Sequence, residues 1–182
     1  MEPMSTPTLG PGHTRDDYYA LPDDGLRYEL LEGELTVAPA PSFDHQRMSG
    51  ELHVALHLAR PDGLVVLAAP FDVELEFTSV VQPDLIVVGR DVPEQRGLMG
   101  PPLLAVEILS PSGRGRDQVR KKRLYERAGV PSYWILDPEV PSLTAWELHE
   151  GHYEVAALVA GDEEWTASAP YPVTLVPAEL IG

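Results

Sequence analysis

The 182-residue chain has no cysteine, which excludes disulfides, thiolate nucleophiles and cysteine-bound zinc. Any metal would have to be held by Asp, Glu, His or carbonyl oxygen. No apolar run approaches the roughly 18 residues that cross a bilayer. The N-terminal MEPMSTPTLGPGHTRDD has neither a basic start nor an apolar segment. Export and membrane insertion are therefore not expected, and the chain reads as a cytoplasmic protein. Positive charge is also scarce: 13 Lys and Arg stand against 29 Asp and Glu, a net charge of −16. Such a balance argues against a protein whose whole surface grips nucleic acid. What is present, 43% hydrophobic and 23% charged residues, is ordinary globular composition, and the length suits one domain with a sizeable core.

The few cations are concentrated. Residues 1–112 carry 6 basic and 18 acidic groups, residues 113–131 carry 7 and 2, and residues 132–182 carry none and 9. Both lysines of the chain and five arginines fall in GRGRDQVRKKRLYERAGVP. This stretch is a local anion-binding candidate on an acidic body. Arg120, Lys122, Arg123 and Arg127 read as a solvated basic face able to meet phosphates.

Residues 1–14, rich in Pro, Gly and Thr, read as a flexible arm, and residues 15–182 as a single domain. RYELLEGELTVA (27–38) predicts a hairpin turning at Glu32-Gly33. Ser42 or Asp44 is placed to cap a helix over about 44–59, where His45, Met48, Leu52, Ala55, Leu56 and Ala59 recur at helical spacing. Strands are expected at 64–69, 71–77, 83–88 and 103–109, the last two as nearly continuous apolar runs buried on both faces. A helix at about 117–128, ended by Gly129, leads to a strand at 132–137. Antiparallel strands near 142–149, 152–159 and 172–175 complete the chain. In 71–77, Asp72, Glu74 and Glu76 read as the wet face of a half-exposed strand.

Two acids interrupt the central apolar runs: Asp84 opens PDLIVV and Glu107 lies inside LLAVEIL. A lone charge there would cost several kcal/mol, so each needs a partner. Adjacent strands lie about 4.8 Å apart, so the two carboxylates can converge on one hard cation; pairing with an arginine or a backbone amide is the alternative. On the helix that follows, about 100° per residue puts Lys121 on the stripe of Asp117, Leu124, Tyr125 and Ala128, which packs on the sheet, and turns Lys122 away. A lysine on that stripe needs a counter-charge, which Glu107 or Asp117 could provide.

The ordered series YELLEGEL (28–35), APAPSFDHQ (38–46), QPDLIVV (82–88), LLAVEILSPS (103–112), DQVRKKRLY (117–125) and AGVPSYWILDP (128–138) resembles the Uma-two family of bacterial restriction-endonuclease-like proteins, placed in the PD-(D/E)xK nuclease superfamily. The resemblance covers roughly residues 27–160. It implies that Asp84 is the PD aspartate and Glu107 the (D/E)xK acid. Two residues beyond Glu107, where the superfamily's motif has lysine, this chain has Leu109. The family's lysine maps onto Lys121, in agreement with the helical wheel. Glu34 and His45 fall where the family has Glu and His. For Glu34 a solvent-facing strand position competes with a metal-site role, and for His45 a core-facing helix start competes with ligation.

The fold so implied is α/β: a restriction-endonuclease-like mixed sheet flanked by helices, with an added N-terminal hairpin and C-terminal antiparallel strands. The implied activity is Mg²⁺- or Mn²⁺-dependent hydrolysis of phosphodiesters in nucleic acid, DNA first, with a homodimer as a possible assembly. Asp84, Glu107 and the Ile108 carbonyl would hold the ion, Lys121 would act beside it, and Arg114, Arg116, Arg120, Lys122 and Arg123 would meet phosphates. Leu109 and the charge of −16 keep two rivals open: a non-catalytic module on the same fold, and a hydrolase of a small phosphorylated molecule.

Overall fold

The computed structural model describes residues 10–91, 97–110 and 116–182, with the side chains of Arg116 and Asp117 outside the description. After a short helix α1 (Arg15–Tyr19), capped by Thr14, come β1 (Arg27–Leu31) and β2 (Glu34–Ala38). They pair antiparallel from Arg27↔Ala38 to Leu31↔Glu34. The turn needs two left-handed residues, and Glu32 (φ 53°) and Gly33 (φ 83°) supply them. Of the residues expected to form an arm, 1–9 lie outside the described residues, and the Gly12 and His13 amides donate to the Gly33 carbonyl.

Helix α2 (Phe43–Ala59) begins as its sequence predicts, with the Ser42 hydroxyl accepting from the His45 amide at 3.2 Å. It buries His45, Met48, Leu52 and Leu56. Then follow β3 (Leu64–Ala68), β4 (Asp72–Glu76), β5 (Ser79–Val81), β6 (Leu85–Gly89), β7 (Gly97–Met99) and β8 (Leu104–Ile108). Helix α3 (Arg116–Ala128) ends at Gly129, whose φ of 80° lets the Val130 amide return to the Tyr125 carbonyl at 3.0 Å. The chain closes with β9 (Ser132–Asp137), β10 (Ser142–His149), β11 (His152–Ala160), β12 (Trp165–Ala167), β13 (Val173–Leu175) and a 3-10 turn at Pro177–Leu180.

The described strands form a six-stranded sheet in the order β11-β10-β9-β8-β6-β3, a five-stranded sheet in the order β2-β1-β5-β4-β7, and a β12-β13 pair. Thus the hairpin enters a second sheet through β5, and β12-β13 stands apart from the β10 and β11 extension. The strands β5, β7 and β12 go beyond the sequence reading because three residues are too few to display a period of two. Asp72, Glu74 and Glu76 are half-buried rather than wet. Asp72 accepts from Tyr18 and Gln82, Glu74 pairs with Arg15 and Glu76 with Arg127.

The apolar runs of β6 and β8 are explained by cover on both faces. Leu85 and Val87 of β6 with Leu104, Val106 and Ile108 of β8 pack against Met48, Leu52 and Leu56 of α2. Ile86, Val88 and Ala105 point the other way, onto Leu124 and Tyr125 of α3 and onto Val73 and Val81 of the second sheet. By alternation, Asp84 and Glu107 belong to this second face. The strand positions of the two acids therefore aim them into the space between α3 and the hairpin. No helix among the described residues is long and apolar enough to cross a membrane.

Candidate active site

β6 and β8 pair antiparallel, Leu85 opposite Val106, so Asp84 and Glu107 are the next residues along this ladder. The Asp84 carboxylate accepts the Ile108 amide at 2.8 Å and thereby ties the end of β8 to the start of β6. Glu107 accepts the Tyr125 hydroxyl at 2.7 Å and the Lys121 ammonium at 3.1 Å. The wheel argument thus finds its counter-charge in Glu107; the side chain of Asp117, the other candidate, is outside the described residues.

Lys121 has a second partner that the sequence reading did not name: Glu29 of β1, at 3.0 Å. Glu29 is 92 residues away in sequence and its other hydrogen bond is from the Gln82 amide, at 2.8 Å. One signal was available, since Glu29 stands two positions before Leu31, on the strand face that packs toward α3. Glu34, the hairpin acid singled out from sequence, lies on the same face but one helix position over. It takes the Arg120 guanidinium at 2.8 Å and does not line the pocket around Asp84 and Glu107.

His45 starts α2 facing the core and at the same time brings Nε2 to 3.3 Å from the Asp84 carboxylate. The core-facing helix start is the placement found, with Asp84 as its neighbour. Burial pushes its pKa down, but the hydrogen bond and charge of Asp84 outweigh burial and leave it raised. Burial lifts Glu107 to about 7, reinforced by the charges of Glu29 and Asp84 and opposed by Lys121 and the Tyr125 hydroxyl. Burial works against the Lys121 charge as well, yet Glu107 and Glu29 more than compensate, so the ammonium keeps its proton.

These groups line one pocket, walled by Arg27, Thr36 to Pro41 and His45 on the hairpin side and by Ser110, Gln118 and Lys121 on the other. Three of its residues, His45 (Nδ1), Gln118 (Nε2) and Tyr133 (hydroxyl), carry buried polar atoms with no hydrogen-bond partner. Unpaired buried polar atoms are costly, and bound water is the ordinary partner for such groups. Among the described residues no three His, Asp or Glu side chains form a ready metal cage. The two carboxylates nevertheless suit a hard divalent ion of the Mg²⁺ type, which typically takes one or two protein carboxylates and completes its shell with water and phosphate oxygen. Three carboxyl groups, Glu29, Asp84 and Glu107, share the lining with the permanent cations Arg27 and Lys121.

The basic residues of α3 divide. Arg120 is half-buried, bound to Glu32, Glu34 and the Leu31 carbonyl, so it clamps the helix to the hairpin instead of standing in solvent. Arg127 pairs with Glu76 and Glu32. Lys122 faces away from the pocket, as the wheel places it, with Nζ 4.6 Å from the centre of the Trp146 ring. Arg123 is exposed. Arg114 and the side chain of Arg116 lie outside the described residues.

Comparison with known proteins adds two findings. The family model Uma2, described as "Putative restriction endonuclease", matches residues 15–178. The crystal structure of a protein described as "a putative nuclease belonging to DUF820", from Anabaena variabilis, is similar in fold. Its TM-score is 0.73 at 20% identity, covering 93% of this chain and 98% of that one. No curated protein matches.

Proposed function

The chain belongs to the Uma2 family of restriction-endonuclease-like proteins, and from that premise we propose that it is a divalent-metal-dependent endonuclease acting on DNA. The observation that carries the reading is the pairing of Glu107 with Lys121 at 3.1 Å, beside Asp84 on the neighbouring strand, all lining one pocket. Asp84, Glu107 and the Ile108 carbonyl would hold Mg²⁺. Bound there, the ion would polarise the phosphate and acidify an attacking water.

The chain's own groups divide the remaining work. Lys121 is already charged and held in place by two carboxylates, so its positive charge is set beside the pocket as negative charge grows on a phosphate. Glu29 fixes the far side of that ammonium. His45 holds Asp84 from the α2 side, and the Ile108 amide holds it from β8, so the aspartate has little freedom to follow an incoming ion. Tyr125 orients Glu107 in the same way.

The test is cleavage of a supercoiled plasmid with Mg²⁺ by the parent and by Asp84→Asn, together with Mn²⁺ titration by calorimetry. The reading requires nicking or linearisation by the parent only, and Mn²⁺ affinity lost in the variant. Equal Mn²⁺ binding by both proteins overturns the metal site. Mn²⁺ binding by the parent without cleavage of DNA favours a non-catalytic module or a smaller phosphorylated substrate.

A further inference from the structure

The pocket lining has a second permanent cation besides Lys121. Arg27 begins β1, half-buried, and donates from Nε to the Gln82 side-chain oxygen at 3.2 Å. No carboxylate among the described residues pairs with it, whereas Arg15, Arg120 and Arg127 each hold one or more acids. Its neighbour Gln82 is itself fixed: the side-chain amide donates to Asp72 at 2.8 Å and the backbone amide to Glu29 at 2.8 Å. A neutral amide thus orients the guanidinium through Nε and leaves its two terminal NH₂ groups for another acceptor. A planar fork with two such donors matches the oxygens of a phosphate.

Two further features favour an anion on this wall. The 17-residue helix α2 starts there, its cap residue Ser42 following directly on Pro39, Ala40 and Pro41 of the pocket lining, and its amino end carries partial positive charge. The lining from Thr36 to Pro41 contains no carboxylate. Lys121, by contrast, is engaged with Glu29 and Glu107. Among the described residues, Arg27 is thus a guanidinium without a carboxylate partner in the lining of this pocket.

We propose that Arg27 is the phosphate-binding residue on the hairpin wall, gripping the nucleic-acid backbone through its terminal NH₂ groups while Gln82 sets its orientation. This rests on the nuclease reading for the identity of the ligand, and it adds a grip on β1 to the exposed Arg123 of α3.

The experiment measures binding of a short fluorescein-labelled DNA duplex by anisotropy, with Ca²⁺ present to fill the metal site, for the parent, Arg27→Gln and Arg27→Lys. Mn²⁺ calorimetry and thermal melting are run on all three. Loss of a charge-assisted bidentate contact weakens binding by about tenfold or more in Arg27→Gln and flattens the salt dependence by about one phosphate. Arg27→Lys, which keeps the charge without the fork, falls between the two, and Mn²⁺ affinity does not fall in either variant. Parent-like duplex affinity in Arg27→Gln overturns the proposal. So does a matching loss of Mn²⁺ affinity, which would make Arg27 a support of the metal site. If one variant fails to fold, the other decides by the same two readouts. A parent that binds the duplex but never cleaves it overturns the nuclease reading alone, leaving Arg27 to be judged by the affinities. A parent that binds no duplex overturns both.

Discussion

Replacing Glu107 by glutamine should make the stability of this protein less sensitive to pH. The parent carboxyl is lifted from 4.5 to about 7, first by burial and then by Glu29 and Asp84. In the unfolded chain it ionises near 4.5, so between about pH 4.5 and 7 the native state holds a proton that the unfolded state has lost. The native state then binds more protons, and stability falls as pH rises through that window. The stabilisation is complete below the lower value and gone above the upper one, a span that corresponds to about 3 kcal/mol. Glutamine resembles the protonated acid at every pH. It still accepts the Tyr125 hydroxyl, and Glu29 still neutralises Lys121. Any clash between its amide and the Lys121 ammonium is equal at both ends of the window and cancels. Urea unfolding of parent and variant at pH 5 and pH 8 is the assay. The stability of Glu107→Gln relative to the parent should rise by about 3 kcal/mol, or somewhat less, between pH 5 and pH 8. At pH 8, Mn²⁺ at about 100 times its dissociation constant should add about 2.7 kcal/mol to the parent and nothing comparable to the variant. An unchanged difference between the proteins at the two pH values would refute the claim that Glu107 holds this proton.

Other consequences concern α3 and the core. Lys121→Met should lower single-turnover plasmid cleavage by about 10²-fold or more, while Lys122→Met, which loses only its place over Trp146, should cleave nearly as the parent does; equal losses in the two would remove Lys121 from the chemistry. Arg123→Glu should weaken DNA binding in anisotropy without changing the melting temperature, because its side chain is exposed, whereas Arg120→Glu should also lower the melting temperature, since it replaces a clamp on Glu32 and Glu34 by a third acid. Leu124→Ala, at a site with no exposure between α3 and the central strands, should cost about 2–5 kcal/mol in urea unfolding.

The family identification was legible in the sequence because its motifs are local. Each is a run of seven to eleven residues, and the ordered set remains recognisable where a single position departs, as Leu109 does. Position 109, directly after β8, is leucine, and the lysine that meets Glu107 comes from the helix instead. Lys121 reaches Glu107 from above the sheet, and the wheel alone was enough to choose it over Lys122.

What the sequence determined by itself follows from short periods. Nearly continuous apolar runs placed Asp84 and Glu107 in strands covered on both faces, a two-residue turn fixed the hairpin, and a period of 3.6 put Lys121, Leu124 and Tyr125 on one stripe. These patterns state which face a side chain occupies, and they need no knowledge of what lies opposite. Partners are decided only when distant segments close on one another. Lys121 meets Glu29 across 92 residues and Arg120 meets Glu34 across 86, so the helix's basic run became a set of clamps and not a uniform phosphate face. Arg27 and Gln82 are brought together across 55 residues by β1 and β5 of a second sheet, and β5, three residues long, is too short to announce itself. Charge placement within an element is set by local geometry; charge neutralisation is set by loop closure between elements, and only the tertiary structure contains it.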